Sequence, residues 1–392
     1  MTPLQGITVL DLTRVLSGPY CTMLLGDMGA RIIKIEQPAK GDDTRAWGPP
    51  FLEGESAYFL SINRNKESVT LNFKQPEGRD VLDRLIAKAD VVVENFRPGT
   101  LAKMQLDYPS LAAAHPRLVY CSISGFGQTG PRTSEAGYDA VMQAEGGLMS
   151  ITGAADGPPF RLGVAIADIV SGMFAAQGIA MALFARERTG RGQAVDIGML
   201  DSVTALLTYQ AGIYFATGDA PARMGNRHPT IVPYETFNAS DGEFVLAVGN
   251  DEQWKRFCRV AELAEDERFA TNRQRVTLYD QLRPILDKRL RTETREVWIA
   301  RLTAAGVPCG GVRNLQEVFA DPQVVAREMV ENVEHATIGP LRVLGTPLKL
   351  SQTPGGIRTA PPTLGQHTDS VLTRDLGMAS GDVDALRMKG IV

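Results

Sequence analysis

The chain has 392 residues, more than a single core usually holds, so two domains, or one large domain with an insertion, are expected. A hydrophobic fraction of 44% is ample for folding, and a formal charge of -4 without any long Lys or Arg block argues against a nucleic-acid or membrane-surface protein. The four cysteines lack a CxxC pair and the four histidines lack HExxH spacing, which points away from disulfides and protein-held zinc and toward a reducing, cytoplasmic setting.

In chain order, Met1-Thr2-Pro3 leads directly into a strand pattern, Ile7 to Leu12, so no signal or transit peptide is expected. The loop Thr13 to Pro19 passes into a helical stretch ending near Gly29, and Ala30 to Glu36 is a second apolar strand. Strand, helix and strand at this spacing predict a βαβ unit and a parallel sheet. Such sheets bind ligands beyond the carboxyl ends of their strands, which makes Thr13 to Gly18 and Gln37 to Arg45 candidate loops. The pattern repeats as a strand at Ser68 to Phe73, a helix at Pro76 to Ala89 opened by its proline, and strands at Asp90 to Phe96 and Arg117 to Ser124. Gly125-Phe126-Gly127-Gln128-Thr129-Gly130 then matches a dinucleotide fingerprint, but Pro131 to Glu135 prolong the loop instead of opening a helix. No acidic residue ends a following strand either, so the glycines are read as tight turns.

A helix from about Tyr138 to Leu148 and the link Gly153 to Pro159 lead to the longest uncharged stretch, Leu162 to Ala185, in which Asp168 is the only charged residue. An ionised carboxylate buried without partners is expensive, so this position needs a reason. One reason is an N-cap on a helix from Ile169 to Ala185. Another is a nucleophile or general base held ionised at a helix N-terminus in a dry pocket, and both can be true together. A membrane span fits poorly, because Asp168, Gln177 and several glycines interrupt it. The Ala and Gly content suits a helix packed closely in the core or across a subunit contact.

Ala194 to Ile197 is a short strand and Leu200 to Thr217 a helix. The polar connector Arg223 to Pro233 opens a change in composition. Tyr234 to Ala239 and Glu243 to Gly249 flank the turn Ser240-Asp241-Gly242 as a hairpin, and helical patterns follow at Glu252 to Leu263, Gln274 to Leu290 and Arg295 to Ala305. Pro340 to Leu350 and the stretch from Leu364 return to strand and helix. The expected fold is α/β: a large parallel-sheet domain from residues 1–222 and 320–392, and a small α+β domain from 223–319.

Several pieces together resemble the class III coenzyme A transferases, the CaiB/BaiF family. They are Leu10-Asp11-Leu12 with Ser17-Gly18-Pro19, Ile33-Lys34-Ile35-Glu36, Gly41-Asp42, Asn65-Lys66, Val93-Glu94-Asn95-Phe96-Arg97-Pro98-Gly99, Ala167-Asp168 and Thr189-Gly190-Arg191-Gly192-Gln193. Leu364-Gly365-Gln366-His367-Thr368 extends the likeness to nearly the whole chain. No single piece is diagnostic, whereas their order and spacing are specific. Gly41 to Arg45 with Trp47 to Phe51, Gly127 to Pro131 and Ala136 to Ala140 look most like the succinate–hydroxymethylglutarate branch, whose members exchange CoA between dicarboxylic acids.

The resemblance implies a Rossmann-like large domain and an interlocked homodimer. It also implies that Asp168 attacks a thioester to form a mixed anhydride and then an aspartyl-CoA thioester. Acyl-CoA and small carboxylic acids would be the partners, CoA a substrate rather than a resident cofactor, and neither metal, nucleic acid nor membrane is implied. CoA contacts carried over by likeness are Leu16, Ser17, Gln37, Leu71, Lys74, Asn95, Phe96, Arg97, Lys103, Ala136, Gly137, Tyr138 and Asp139. Lys74, Arg97 and Lys103 can neutralise phosphates, while Gln37 stands where relatives often carry Arg. The glycine-rich lid of formyl-CoA transferases has no counterpart, which argues against oxalate and formate. The alternative is a racemase or isomerase of the same family, but Tyr138 occupies the position of the racemases' histidine and is a poor proton shuttle at neutral pH. A dicarboxylate needs a cation for its distal end, and Arg14, Arg45 and Arg64 are candidates. His228 is the remaining histidine for a site, or else a loop residue bonding backbone.

Overall fold

The computed structural model describes residues Met1–Val392 as two compact units. The first is assembled from Met1–Leu148, Arg161–Ala211 and Pro322–Val392, the second from Met149–Phe160 and Gly212–Asp321. Met149–Phe160 therefore leaves the unit in which local pattern places it. Its ties are long-range and carry no periodicity: Gly225 donates to the Gly153 carbonyl at 2.9 Å, and Arg223 to that of Gly157 at 2.9 Å.

Six parallel strands form the sheet of the first unit: β1 (Thr8–Asp11), β2 (Arg31–Glu36), β3 (Lys66–Thr70), β4 (Val91–Glu94), β5 (Val119–Ser124) and β6 (Ala194–Gly198). Their order is β3-β2-β1-β4-β5-β6, so the winding reverses between β1 and β4, and the loops leaving these two strands part to open a crevice. Alternating side chains build two cores. Leu10, Ile33, Val92 and Tyr120 face the Pro76–Ile86 helix and the C-terminal Val371 and Leu372. Val9, Ile32, Val91 and Cys121 face the Ser17–Asp27 and Ile166–Thr189 helices through Leu25, Ala175 and Ile179. β3 starts two residues earlier than the hydrophobic pattern indicates, because the buried Lys66 pairs with Ile32 and so belongs to the ladder despite its charge. C-terminal backbone closes this edge: His367 donates to the Ser68 carbonyl at 2.9 Å and Asn72 to that of Ile391 at 2.7 Å.

The Ile166–Thr189 helix is 24 residues long and holds an 18-residue stretch with a mean hydropathy of 1.6, enough to cross a membrane by length and composition. Its inner stripe, Ala167, Val170, Ser171, Ala175, Ile179 and Leu183, is instead buried in the protein. Met173, Met181 and Phe184 on other faces are exposed. The second unit carries an antiparallel sheet of Cys309–Gly311, Glu243–Ala247 and Tyr234–Asn238. Its core gathers Phe237, Phe244, Leu246, Phe257, Trp298 and Leu302 from this sheet and its helices.

Charge is buried, not excluded, along β1 to β3 and in the loop after β2. Asp11 accepts from the Thr22 hydroxyl at 2.6 Å and from Lys66 at 3.2 Å, while Lys34 donates to Asp42 at 2.9 Å. Glu36 receives Arg45 through two contacts of 2.7 Å and Ser68 at 2.6 Å. Burial alone would raise the Asp11 carboxyl, but Lys66 and Lys34, with the Thr13 and Thr22 hydroxyls, outweigh it and bring it down to about 2. Replacing Asp11 by Ala strands the buried Lys66 ammonium, while Lys34 keeps Asp42, and is expected to cost about 3–5 kcal/mol in urea unfolding at neutral pH. Because the folded value lies below the ordinary one, the stabilisation is complete above 3.8 and is lost as pH falls through that value toward about 2. The gap between wild type and Asp11→Ala should therefore narrow on acidification; equal urea midpoints at neutral pH would contradict the role of this layer.

Candidate active site

The loop after β1 is the tightest part of the crevice. A Cβ on Gly18 would stand 2.3 Å from the Thr13 Cβ, so only glycine lets the loop close on itself and present residues 14–17 at its tip. Thr13 is fixed to Asp11 through its N–H at 2.9 Å and its hydroxyl at 2.5 Å. Arg14 and Asn95 exchange two bonds, Arg14 N–H to Asn95 Oδ1 at 2.9 Å and Asn95 Nδ2 to the Arg14 carbonyl at 2.7 Å, which joins this loop to the one leaving β4.

Asp168 is not an N-cap. The helix begins at Ile166, with Ala165 at the cap position and no side-chain cap of its own, and Asp168 is its third residue. The capping task falls to Asp139, whose Oδ1 accepts the Ala167 N–H at 2.8 Å. Asp139 also accepts Gln143 Nε2 at 2.8 Å, and Gln143 Oε1 in turn takes the Leu162 N–H at 2.9 Å. One turn beyond Asp168, a Cβ on Gly172 would meet the Ser17 carbonyl at 2.6 Å, so glycine there lets the Ser17 backbone lie directly on the helix. The consequence is electrostatic. Burial, and then the charge of Asp139, push the Asp168 carboxyl up to about 7, against the nearby hydroxyl and N–H of Ser17, which favour the charged form. Tyr58 is a further neighbour: burial and the charges of Asp168, Asp139 and Asp42 push its phenol up to about 12.

Asp168 lies in the wall of a cavity of 200 Å³ together with Ser17, Asn95, Phe96, Arg97, Ala136, Gly137 and Tyr138. A second cavity, of 380 Å³, is lined by Gln37, Leu71 and Lys74 and shares Arg14, Phe96 and Arg97 with the first. Those three shared residues are the partition between the two spaces. Most of the residues singled out in the sequence thus come together around two adjoining cavities. Leu16, Lys103 and Asp139 line neither one. Leu16 is buried against Met23 and Ile62, Lys103 is exposed on the Ala102–Met104 turn, and Asp139 is committed to its cap.

The three candidate arginines separate clearly. Arg64 is buried and held to Asp27 at 3.0 and 2.6 Å, and Arg45 is held to Glu36 with its guanidinium 3.6 Å above the Phe59 ring. Arg14, whose side chain is 51% exposed, has a contact of 3.3 Å to Asp43 and lines both cavities. His228 belongs to the second unit, where its Nδ1 accepts the Thr230 N–H at 3.2 Å and its ring meets Tyr234 edge-on at 5.3 Å. Sequence reasoning passed over Tyr58 and Ser124, the latter a buried hydroxyl in the wall of the Asp168 cavity, and quoted Asp42 without giving it a role. Gly41-Asp42 after a strand was the one local signal for any of them.

The chain is similar to known proteins over nearly its whole length. The model of CoA-transferase family III matches residues 4–368. A succinyl-CoA:glutarate CoA-transferase of Mus musculus is 42% identical over 100% of this chain and 91% of its own length. A succinate–glutarate CoA-transferase of Agrobacterium fabrum is 45% identical over 94% of this chain and 95% of its own. The crystal structure of a CaiB/BaiF family protein from Brucella suis superposes with a TM-score of 0.85 at 44% identity, covering 95% of this chain and 99% of that one. With its parallel sheet, its crevice at the β1/β4 reversal and this likeness along its length, the chain belongs to CoA-transferase family III.

Proposed function

We propose that the protein moves coenzyme A from succinyl-CoA or a similar donor to a dicarboxylic acid, glutarate being the acceptor suggested by its relatives, and that Asp168 is the nucleophile. The observation that carries this reading is the half-buried Asp168 carboxylate in the wall of a small cavity, with Ser17 beside it and a larger cation-bearing cavity adjoining.

A carboxylate oxygen of Asp168 adds to the thioester carbonyl, the C–S bond breaks, and CoA leaves as thiolate from a mixed anhydride. The thiolate then adds to the side-chain carbonyl of Asp168, and the anhydride C–O bond breaks to release the donor's free acid. In that second step the negative charge develops on an Asp168 oxygen, where the Ser17 hydroxyl and N–H are placed to receive it. The acceptor carboxylate attacks the aspartyl thioester, and the thiolate returns to the new anhydride, regenerating Asp168. Both intermediates react with water, so confinement in a cavity of only 200 Å³ favours transfer over hydrolysis. Partial desolvation also leaves the attacking oxygen more basic than an exposed carboxylate. Lys74 and Arg97, on the larger cavity, supply charge for CoA phosphates, and the half-exposed Arg14 suits the distal carboxylate of the acid.

The same reading includes a cytoplasmic homodimer: the four cysteines are free thiols, and the exposed Met173, Met181 and Phe184 form an apolar surface suited to a second copy. Sedimentation should give twice the 42.5 kDa chain mass, and Phe184→Asp should shift the population toward single chains. A monomeric wild type would end the dimer inference.

Asp168→Asn should reduce exchange between succinyl-CoA and glutarate by roughly 10³-fold or more and eliminate any hydroxylamine-trapped aspartyl adduct. Asp168 must be ionised to attack, so kcat/KM should rise with pH through about 7. Undiminished exchange in the Asn variant would refute the nucleophile. Arg14→Met should lower kcat/KM for dicarboxylate acceptors by roughly 10–100-fold and affect monocarboxylates much less. An unaltered ratio between the two acid classes would remove Arg14 from substrate selection.

A further inference from the structure

We propose that Asp42 is a positioning residue for the transfer reaction, holding Val15 in a left-handed backbone conformation that delivers Ser17 to Asp168. The inference rests on the reading of Asp168 as nucleophile. Val15 has a φ of 71°, a region that a β-branched side chain strongly disfavours. Such a conformation persists only where the surroundings over-determine it.

The surroundings here are specific. Asp42 Oδ1 accepts the Val15 N–H at 3.2 Å, along with the Thr44 N–H at 3.0 Å and hydroxyl at 2.8 Å. Its Oδ2 accepts Lys34 Nζ at 2.9 Å, and the same ammonium donates at 2.9 Å to the carbonyl of Thr13, two residues before Val15. The Asp42 N–H is anchored on Glu36 Oε2 at 2.9 Å. The side chains of Lys34 and Asp42 are fully buried, so the pair has no solvent to slide into. Arg14 is clamped to Asn95 on both its backbone groups, and Gly18 is pressed on Thr13. With both ends of the loop fixed, the dihedral at Val15 sets where Ser17 points. Relaxation to negative φ would turn the Ser17 hydroxyl and N–H away from Asp168, yet leave Lys74 and Arg97 in place for CoA. The defect of a Val15 variant should therefore fall on kcat and spare the KM for the donor, whereas Asp42, which also lines the larger cavity, can affect both.

The test uses the full-length enzyme with Asp42→Ala, Asp42→Ala combined with Val15→Gly, Val15→Pro, and Asp168→Asn. Proline cannot adopt positive φ and lacks the N–H, but it leaves the Lys34–Asp42 pair whole, so it probes the loop even where Asp42→Ala folds poorly. Asp42→Ala and Val15→Pro should each lose roughly 100-fold in kcat. The acid limb of the kcat profile should move to higher pH, since Asp168 loses the two donors that favour its charge while Asp139 and Tyr58 still face it. Val15→Gly should restore about tenfold of the Asp42→Ala loss, because glycine takes positive φ freely. It should not restore thermal stability, since Lys34 still lacks its partner. A Val15→Pro enzyme with wild-type kcat and acid limb, or a folded Asp42→Ala enzyme not relieved by glycine at Val15, overturns the proposal if Asp168→Asn is inactive. Exchange persisting in Asp168→Asn overturns the nucleophile reading itself.

Discussion

Everything at the catalytic end of this protein hangs from charges buried beneath it. Asp11, Lys34, Asp42, Glu36 and Lys66 occupy β1 to β3 and the loop after β2, all of them withdrawn from solvent. Buried charges are tolerated only when each finds a partner of good geometry, and that requirement fixes backbone as well as side chains. Lys34 reaches a main-chain carbonyl, Asp42 receives main-chain N–H groups, and Lys66 reaches the Pro19 carbonyl at 2.9 Å. Salt bridges of this kind contribute little net stability compared with well-packed apolar residues. Their effect here is registry: they specify where three loops stand relative to one another.

On that base, Asp168 is balanced between opposing demands. Desolvation and the nearby Asp139 favour its neutral form, whereas the two Ser17 donors and the first turn of its own helix favour the charged one. A carboxylate held near neutrality by these opposing terms is more basic than a solvated one and remains partly ionised at the pH where the proposed chemistry runs. Asp139 contributes twice over, capping the helix through Ala167 and raising the Asp168 carboxyl through its charge. Neither contribution requires it to touch a substrate, which accounts for its absence from both cavity walls.

Much of this was legible in the sequence. Alternating apolar strands with helices between them gave the parallel sheet, and the isolation of Asp168 in an uncharged stretch marked it without any structure. The helix start was misplaced by three residues because Asp is a favoured cap; nothing local discloses that a carboxylate 29 positions earlier, at Asp139, performs that task. β3 was shifted because Lys66 breaks its apolar run, and buried lysines are rare enough that pattern reading treats them as surface. Choosing among Arg14, Arg45 and Arg64 needed tertiary partners, since all three follow strands or helices in similar local settings. The conformation of Val15 left no trace at all, as valine is an unlikely residue for positive φ.

The way the first unit is pieced together also orders the protein's birth on the ribosome. The second unit, ending at Asp321, has left the exit tunnel while much of Pro322–Val392 is still being made. The sheet's edge, where Asn72 bonds Ile391 and Ser68 bonds His367, stays unsealed until residues 367–391 have been made and have emerged. Until then, Leu71 and Lys74, which border the larger cavity, flank an open edge. The nascent chain can thus complete its second unit before the sheet of its first, and the larger cavity gains a closed border only once the 367–391 segment has docked.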